Sequence, residues 1–155
     1  ECCSDEYDYF MHASTIVNDF DFDYSNQDLR DFRFTNNNKI APVGFVGTGI
    51  LFSPFLYLGN LFNQIFNESI AEDVFNYQIL FYSISSVIYF FLAYLFIHKT
   101  MKLIGYKLNK YKLLLIFSAS GIPYYAFERF GMTHIAEVFT ISLLRILGWQ
   151  INQLN

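Results

Sequence analysis

Asp5 and Glu6 stand side by side near the start of the chain, and Asp19, Asp21 and Asp23 alternate a short stretch later. Paired carboxylates can take a proton from a reacting hydroxyl, whereas acids in a first helical turn also simply favour the positive end of the helix dipole. Alternating aspartates can supply oxygen ligands to a divalent cation. This stretch lacks the glycine and terminal glutamate of a calcium loop, so a solvated acidic turn is the expectation. Lys39 is equally an ordinary phosphate binder and an ordinary loop residue. Far downstream come Arg129, His134, Glu137 and Arg145, the last three set among Ile, Leu and Phe, where ionisable groups are expensive to keep. A bland account exists for each. Glu128 and Arg129 can be interfacial anchors, His134 a hydrogen-bonded structural histidine, and Glu137 and Arg145 partners within the bundle or of helices beyond this chain. Cys2 and Cys3 match no metal spacing, and neighbouring cysteines make a strained disulfide, so neither is given a role. Asn67-Glu68-Ser69 fits a glycosylation sequon, which matters only in a eukaryotic secretory host.

The elements that must hold these residues are read from hydropathy. Of the 155 residues 54% are hydrophobic and only 15% charged, against about 25% charged in ordinary soluble domains. Residues 74–97 carry no charge and exceed the about 20 residues that cross a hydrocarbon core, so they read as a membrane span. Residues 113–127 read as a second span. Residues 133–149 read as a helix whose His134, Glu137 and Arg145 fall within an arc of about 80°, a face expected to turn toward protein rather than lipid. Residues 45–66 are uncharged but contain Gly47, Gly49, Pro54, Gly59, Asn60, Asn63 and Gln64, which predicts broken, interfacial helices. Ser4 is a good N-cap, and Tyr9, Phe10, Ala13, Ile16 and Val17 recur at helical spacing, so residues 5–18 read as an amphipathic helix. Residues 19–38 read as a loop. The expected class is an all-α membrane protein, a polytopic helical bundle with an external loop of juxtamembrane helices. The loop takes residues 1–72 and the transmembrane helices residues 73–155, with no internal repeat.

Charge sets the orientation. Most of the 14 acids precede residue 32, and half of the ten basic residues (Lys99, Lys102, Lys107, Lys110 and Lys112) fall in one short connection. Nucleic-acid binding needs a basic face with stacking aromatics, whereas these lysines sit between two spans. By the positive-inside rule that connection is cytoplasmic. If residues 45–66 do not cross, Asp5 and Glu6 then share the outer face with Glu128, Arg129 and His134. No signal peptide is visible, and the opening Glu1 in place of Met predicts that the native N-terminus lies upstream.

The stretch "SDEYDYFMHASTIV" resembles the segment after the first membrane helix in GT-C glycosyltransferases, the polytopic enzymes that use polyprenyl-phosphate sugars. Protein O-mannosyltransferases and lipid A aminoarabinose transferases open their first external loop with an Asp-Glu pair, often followed by a Tyr, here Tyr9. "KIAPVGFVGTGILFSPFLYLG" resembles their Lys-x-x-Pro-x-Gly-aromatic segment, with Lys39, Pro42, Gly44 and Phe45 in those places. "GIPYYAFERFGMTHIAEVF" is similar to a loop of bacterial members in which a Ser-His or Thr-His pair precedes a helix. Nearly the whole chain is covered, and the order and spacing of the motifs carry the weight. The first membrane helix, later spans and C-terminal domain of the family have no counterpart here, so a fragment that is inactive alone is expected.

The resemblance implies a reaction. A sugar passes from a polyprenyl-phosphate donor to a glycan, lipid or protein hydroxyl, which needs a base for the acceptor proton and positive charge for the departing phosphate. It places Asp5 as that base and Glu6 as a group that orients the acceptor or shares a divalent cation. Lys39 would meet the donor phosphate, and Arg129 and His134 would add to its pocket. The composition, rich in Asn, Ile and Phe, fits an AT-rich genome, and a bacterial inner membrane with the site facing outside is expected. Two other classes compete. A transporter or channel would line a path with His134, Glu137 and Arg145 and would show inverted repeats, and a structural membrane module would carry no chemistry. For the topology, cysteine labelling in the intact protein is expected to find positions 26 and 67 outside and position 107 inside. Labelling of 26 and 107 from one face would remove the shared outer site.

Overall fold

The computed structural model describes residues 4–27, 32–34, 39–66, 76–107 and 109–154, with backbone alone at positions 4, 5, 32, 34, 153 and 154. The chain is mostly helical: α1 is Ser4–Ser14, α2 Val46–Ile65, α3 Tyr77–Leu103, α4 Lys110–Ser118, α5 Ile122–Phe127 and α6 Thr133–Leu154. A π-helical turn, Thr15–Asp19, extends α1, and Phe20 ends it in the left-handed region at φ 58°. Two compact units divide the chain, Glu1–Ser85 and Ser86–Asn155, with the boundary inside α3.

Within the first unit, α1 lies against α2 through a missing side chain. A Cβ on Gly49 would sit 2.4 Å from His12 Cβ and 2.9 Å from the Ala13 nitrogen, so only glycine admits this approach. Gly59 does the same for the start of α3, where a Cβ would lie 2.6 Å from Gln78 Cα. Tyr82, 2% exposed, stands at the centre of the unit. It packs edge-on with Phe10 and Phe52, at centroid distances of 5.3 and 5.2 Å. The first turn of α3 is capped twice. Asn76 Oδ1 accepts from the Gln78 N–H at 2.8 Å, and Asn63 of α2 accepts from the Tyr77 N–H at 3.2 Å.

Residues 45–66 are not the broken pieces expected, because α2 runs through Pro54 without a break. A proline inside a helix leaves the carbonyl four residues back without its donor. That carbonyl belongs to Ile50, and Ser53 Oγ donates to it at 2.8 Å. The expected loop 19–38 is also not all loop. Phe32–Phe34 forms β1, paired antiparallel with β2, Ile40–Pro42, in the register Arg33 opposite Ala41.

In the second unit α3 ends at Gly105, φ 89°. The Tyr106 N–H returns to the Met101 carbonyl at 2.9 Å and the Gly105 N–H to Lys102 at 3.1 Å, a glycine-terminated helix end. Phe90 packs on Phe117 and Phe127, and Tyr89 on Phe139, with Ser86 Oγ donating to the Ala126 carbonyl at 2.7 Å. The second expected span, 113–127, is not one helix. α4 stops at Ser118, and α5 begins at Ile122 with Pro123 in its first turn. Pro123 has no N–H to continue the ladder, and Ser120 serves both ends, donating to the Phe117 carbonyl at 2.6 Å and accepting from the Ile122 N–H at 3.3 Å.

Among the described residues one helix, α3, is long and apolar enough to cross a membrane. Its 27 residues extend about 40 Å at the usual rise of a helix. Only 33% of its most apolar stretch is buried. Ile84, Ile88, Phe91 and Leu95 form an exposed apolar stripe along it, a surface suited to lipid or to further helices.

The glycine contacts yield a paired test. Gly49→Ala is expected to destabilise the folded protein by about 1–3 kcal/mol or more, because backbone cannot yield as a flexible side chain can. Gly47 is in the same helix with nothing within 4 Å of its added Cβ, so Gly47→Ala is expected to stabilise by about 0.5–1 kcal/mol. Thermal unfolding in detergent measures both.

Candidate functional site

The residues that chemistry would use begin on α1. Asp5 occupies the first turn of that helix, and its side chain lies outside the described residues. Glu6 and Asp8 are buried, and Tyr9 is half-buried. The face formed by Asp8, Tyr9 and His12 meets the segment that follows β2. The Gly44 N–H donates to Asp8 Oδ2 at 3.2 Å, and a Cβ on Gly44 would fall 2.8 Å from the Tyr9 ring. Thus the acidic N-terminal segment and the Lys-x-x-Pro-x-Gly segment, over 30 positions apart, abut through backbone and ring.

His12 completes the junction. Its Nε2 lies 3.0 Å from the Gly44 carbonyl, which can only accept, so Nε2 carries the hydrogen. Nδ1, 2.6 Å from the Tyr24 hydroxyl, then accepts from it in the neutral ring. Burial pushes the His12 imidazole below its ordinary 6.5, outweighing the Gly44 bond and the Asp8 charge that favour protonation. Burial likewise pushes the Tyr24 phenol upward. Neither Asp8 nor His12 was singled out from the sequence. Their spacing of four on a helix, which sets both on one face, was the available signal.

Lys39 lies at the start of the returning strand, its Nζ 3.1 Å from Asp23 Oδ2. Both partners are well exposed, and an ion pair this open to solvent adds little stability, so the ammonium can be exchanged to a phosphate. The three alternating aspartates serve the turn itself. Asp21 accepts from the Asp23 N–H at 2.9 Å, Asp23 from the Ser25 N–H at 3.1 Å, and Asp19 from the Gln27 amide at 2.7 Å. The Ser25 bonds, and after them Lys39, hold the Asp23 carboxyl below its usual range. Among the described residues no group of three or more His, Cys, Asp or Glu could hold a metal ion.

Arg129 and His134 belong to the second unit. Arg129 lies in the turn between α5 and α6, its N–H donating to the Tyr124 carbonyl at 3.0 Å. His134 opens α6, its ring 4.2 Å from that of Tyr125 and its Nδ1 3.8 Å from Glu137 Oε2. His134, Glu137 and Arg145, expected to face protein rather than lipid, are exposed in this chain, which leaves that face open to further helices. Ile135, Phe139, Ser142 and Ile146 form the buried stripe of α6, and these apolar residues, rather than the charged ones, have the better claim to the interior. Glu137 pairs with His134, one turn away, and not with Arg145. Cys2, Cys3 and the sequon at 67–69 lie outside the described residues.

The neutral His12 gives a pH prediction. The unfolded chain gains a proton on His12 as pH falls below about 6.5, whereas the folded chain resists it, so stability is lost on acidification through that range. His12→Gln is expected to flatten this dependence in thermal melts between pH 5 and 8; an unchanged profile would place the titration elsewhere. Compared with known family models, curated proteins and solved structures, the chain matches none of them.

Proposed function

We propose that the chain is part of an integral membrane glycosyltransferase of the GT-C kind, moving a sugar from a polyprenyl-phosphate donor to an acceptor hydroxyl outside the cytoplasm. One observation carries the reading. The two segments in which the resemblance locates acceptor activation and donor phosphate, residues 5–9 and 39–45, meet through the Asp8 bond to Gly44 and the Tyr9 ring on Gly44. Glycine at 44 is explained by that contact, and so is the aromatic at 9. A solvated loop with an unrelated acidic helix has no use for either.

In this reading α3 crosses the membrane as one span of a larger polytopic bundle, with its lysine end in the cytoplasm. The first unit lies at the outer surface. Asp5 takes the proton as the acceptor oxygen attacks the anomeric carbon, and the bond from that carbon to the phosphate oxygen breaks. Glu6 orients the acceptor. Lys39 neutralises the phosphate as it leaves, exchanging Asp23 for it. The resemblance also gives Arg129 and His134 a phosphate-binding role.

Substitutions in the intact protein, assayed with a polyprenyl-phosphate sugar, test the assignment. Asp5→Asn keeps the shape and is expected to slow turnover by about 10² to 10⁴ while donor binding is retained. Glu6→Gln is expected to cost less. Lys39→Ala is expected to raise KM for the donor and lower kcat together, since the lysine touches phosphate in both ground and transition states. Asp23→Asn, which frees Lys39, is expected to leave transfer nearly intact. Normal transfer by a stably folded Asp5→Asn protein would overturn the reading.

A further inference from the structure

The end of α3 and the last turns of α6 enclose a groove that the transfer chemistry does not use. One part, of about 440 Å³, is lined by Thr100, Ile104, Arg145, Trp149 and Asn152 among others. A second, of about 240 Å³, is almost wholly apolar and is lined by Ile97, Met101, Val138 and Ile141. Thr100, Ile141 and Arg145 line both parts, so the two form one continuous feature.

Ser142 of its lining donates to the Phe139 carbonyl at 2.7 Å, but two other polar groups are unspent. Arg145 is exposed and makes no ion pair among the described residues, and neither part of the groove is lined by an acid. Thr100 Oγ1 is buried and has no hydrogen-bond partner among the described residues, although a helical threonine ordinarily donates to its own preceding turn. Lys99 and Lys102 are exposed on the same turns of α3, and the groove adjoins the lysine-rich connection. A cation and an idle hydroxyl therefore stand at one end of an apolar channel, beside the Trp that favours membrane interfaces.

We propose that this groove binds an anionic membrane phospholipid. The headgroup phosphate pairs with Arg145 and accepts from Thr100, and an acyl chain lies along Ile97, Met101, Val138 and Ile141. A neutral lipid leaves Arg145 without a counter-charge. A partner helix would have to bring its own acid to this point. Basic pockets between helices on the cytoplasmic side are a recognised setting for anionic headgroups. The proposal rests on α3 crossing the membrane and not on sugar transfer.

The intact protein in phosphatidylcholine vesicles carrying a photoactivatable phosphatidylglycerol provides the test. Label is expected on peptides covering 97–104 and 138–152, displaced by unlabelled phosphatidylglycerol and undisturbed by excess inorganic phosphate. Arg145→Gln is expected to lower labelling about fivefold, the worth of one cation near an anionic surface. Arg145→Lys retains most of it, and Thr100→Val, which preserves shape, lowers it less than Arg145→Gln. If Arg145→Gln fails to fold, Thr100→Val decides, and unchanged labelling there overturns the proposal. Equal labelling by a phosphatidylcholine probe, or displacement by inorganic phosphate alone, overturns it. So does exclusion of the probe by another segment or subunit that fills the groove. Glycosyl transfer is not the readout, so either proposal can fail without the other.

Discussion

The close approach of α1 to α2 at Gly49 is the contact on which the first unit depends. With no side chain at 49, the His12 Cβ and the Ala13 backbone come within a distance that any methyl would occupy. That approach delivers His12 into the interior, where it holds the Gly44 carbonyl at one nitrogen and Tyr24 at the other. Gly44 lies just beyond β2, and Lys39 just before it, its Nζ 3.1 Å from Asp23 Oδ2. One absent side chain thus sets the packing of α1, α2 and the segment that follows β2.

A second constraint is that backbone polar groups next to apolar surroundings must find partners, since burying them unpaired is costly. The chain meets it with short side chains placed at each interruption. Ser53 replaces the donor that Pro54 lacks, Asn63 and Asn76 close the start of α3, and Ser120 joins the ends of α4 and α5. Glycine at 105 permits the turn that closes the other end of α3. These devices let prolines and polar residues sit inside hydrophobic segments, which is why composition alone misjudges where such segments break. At Pro54 the neighbouring hydroxyl rescues the helix. At Pro123 the serine instead serves a turn.

Polar groups in both units stand differently in this respect. In the first unit both ring nitrogens of His12 are paired and Lys39 is exposed, while Thr15 Oγ1 is buried with no hydrogen-bond partner among the described residues. In the second unit the idle groups are Thr100 and Arg145, at the end of α3 and on α6.

The sequence by itself determined the helical class, the long apolar helix at 74–97, and the first and last helices, because unbroken apolar runs and a period of 3.6 are local properties. It also carried the ordered motifs on which the glycosyltransferase proposal stands. Tertiary structure alone decided the pairing of β1 with β2 and the burial of Asp8 and His12, since each depends on partners distant in the chain, whereas the fate of Pro54 and Pro123 turned on which neighbouring serine found a carbonyl. It likewise turned His134, Glu137 and Arg145 outward. A helical wheel shows that these residues share a face, but which face is buried follows from what packs against it, and Ile135, Phe139 and Ile146 fill that interior better than charge can.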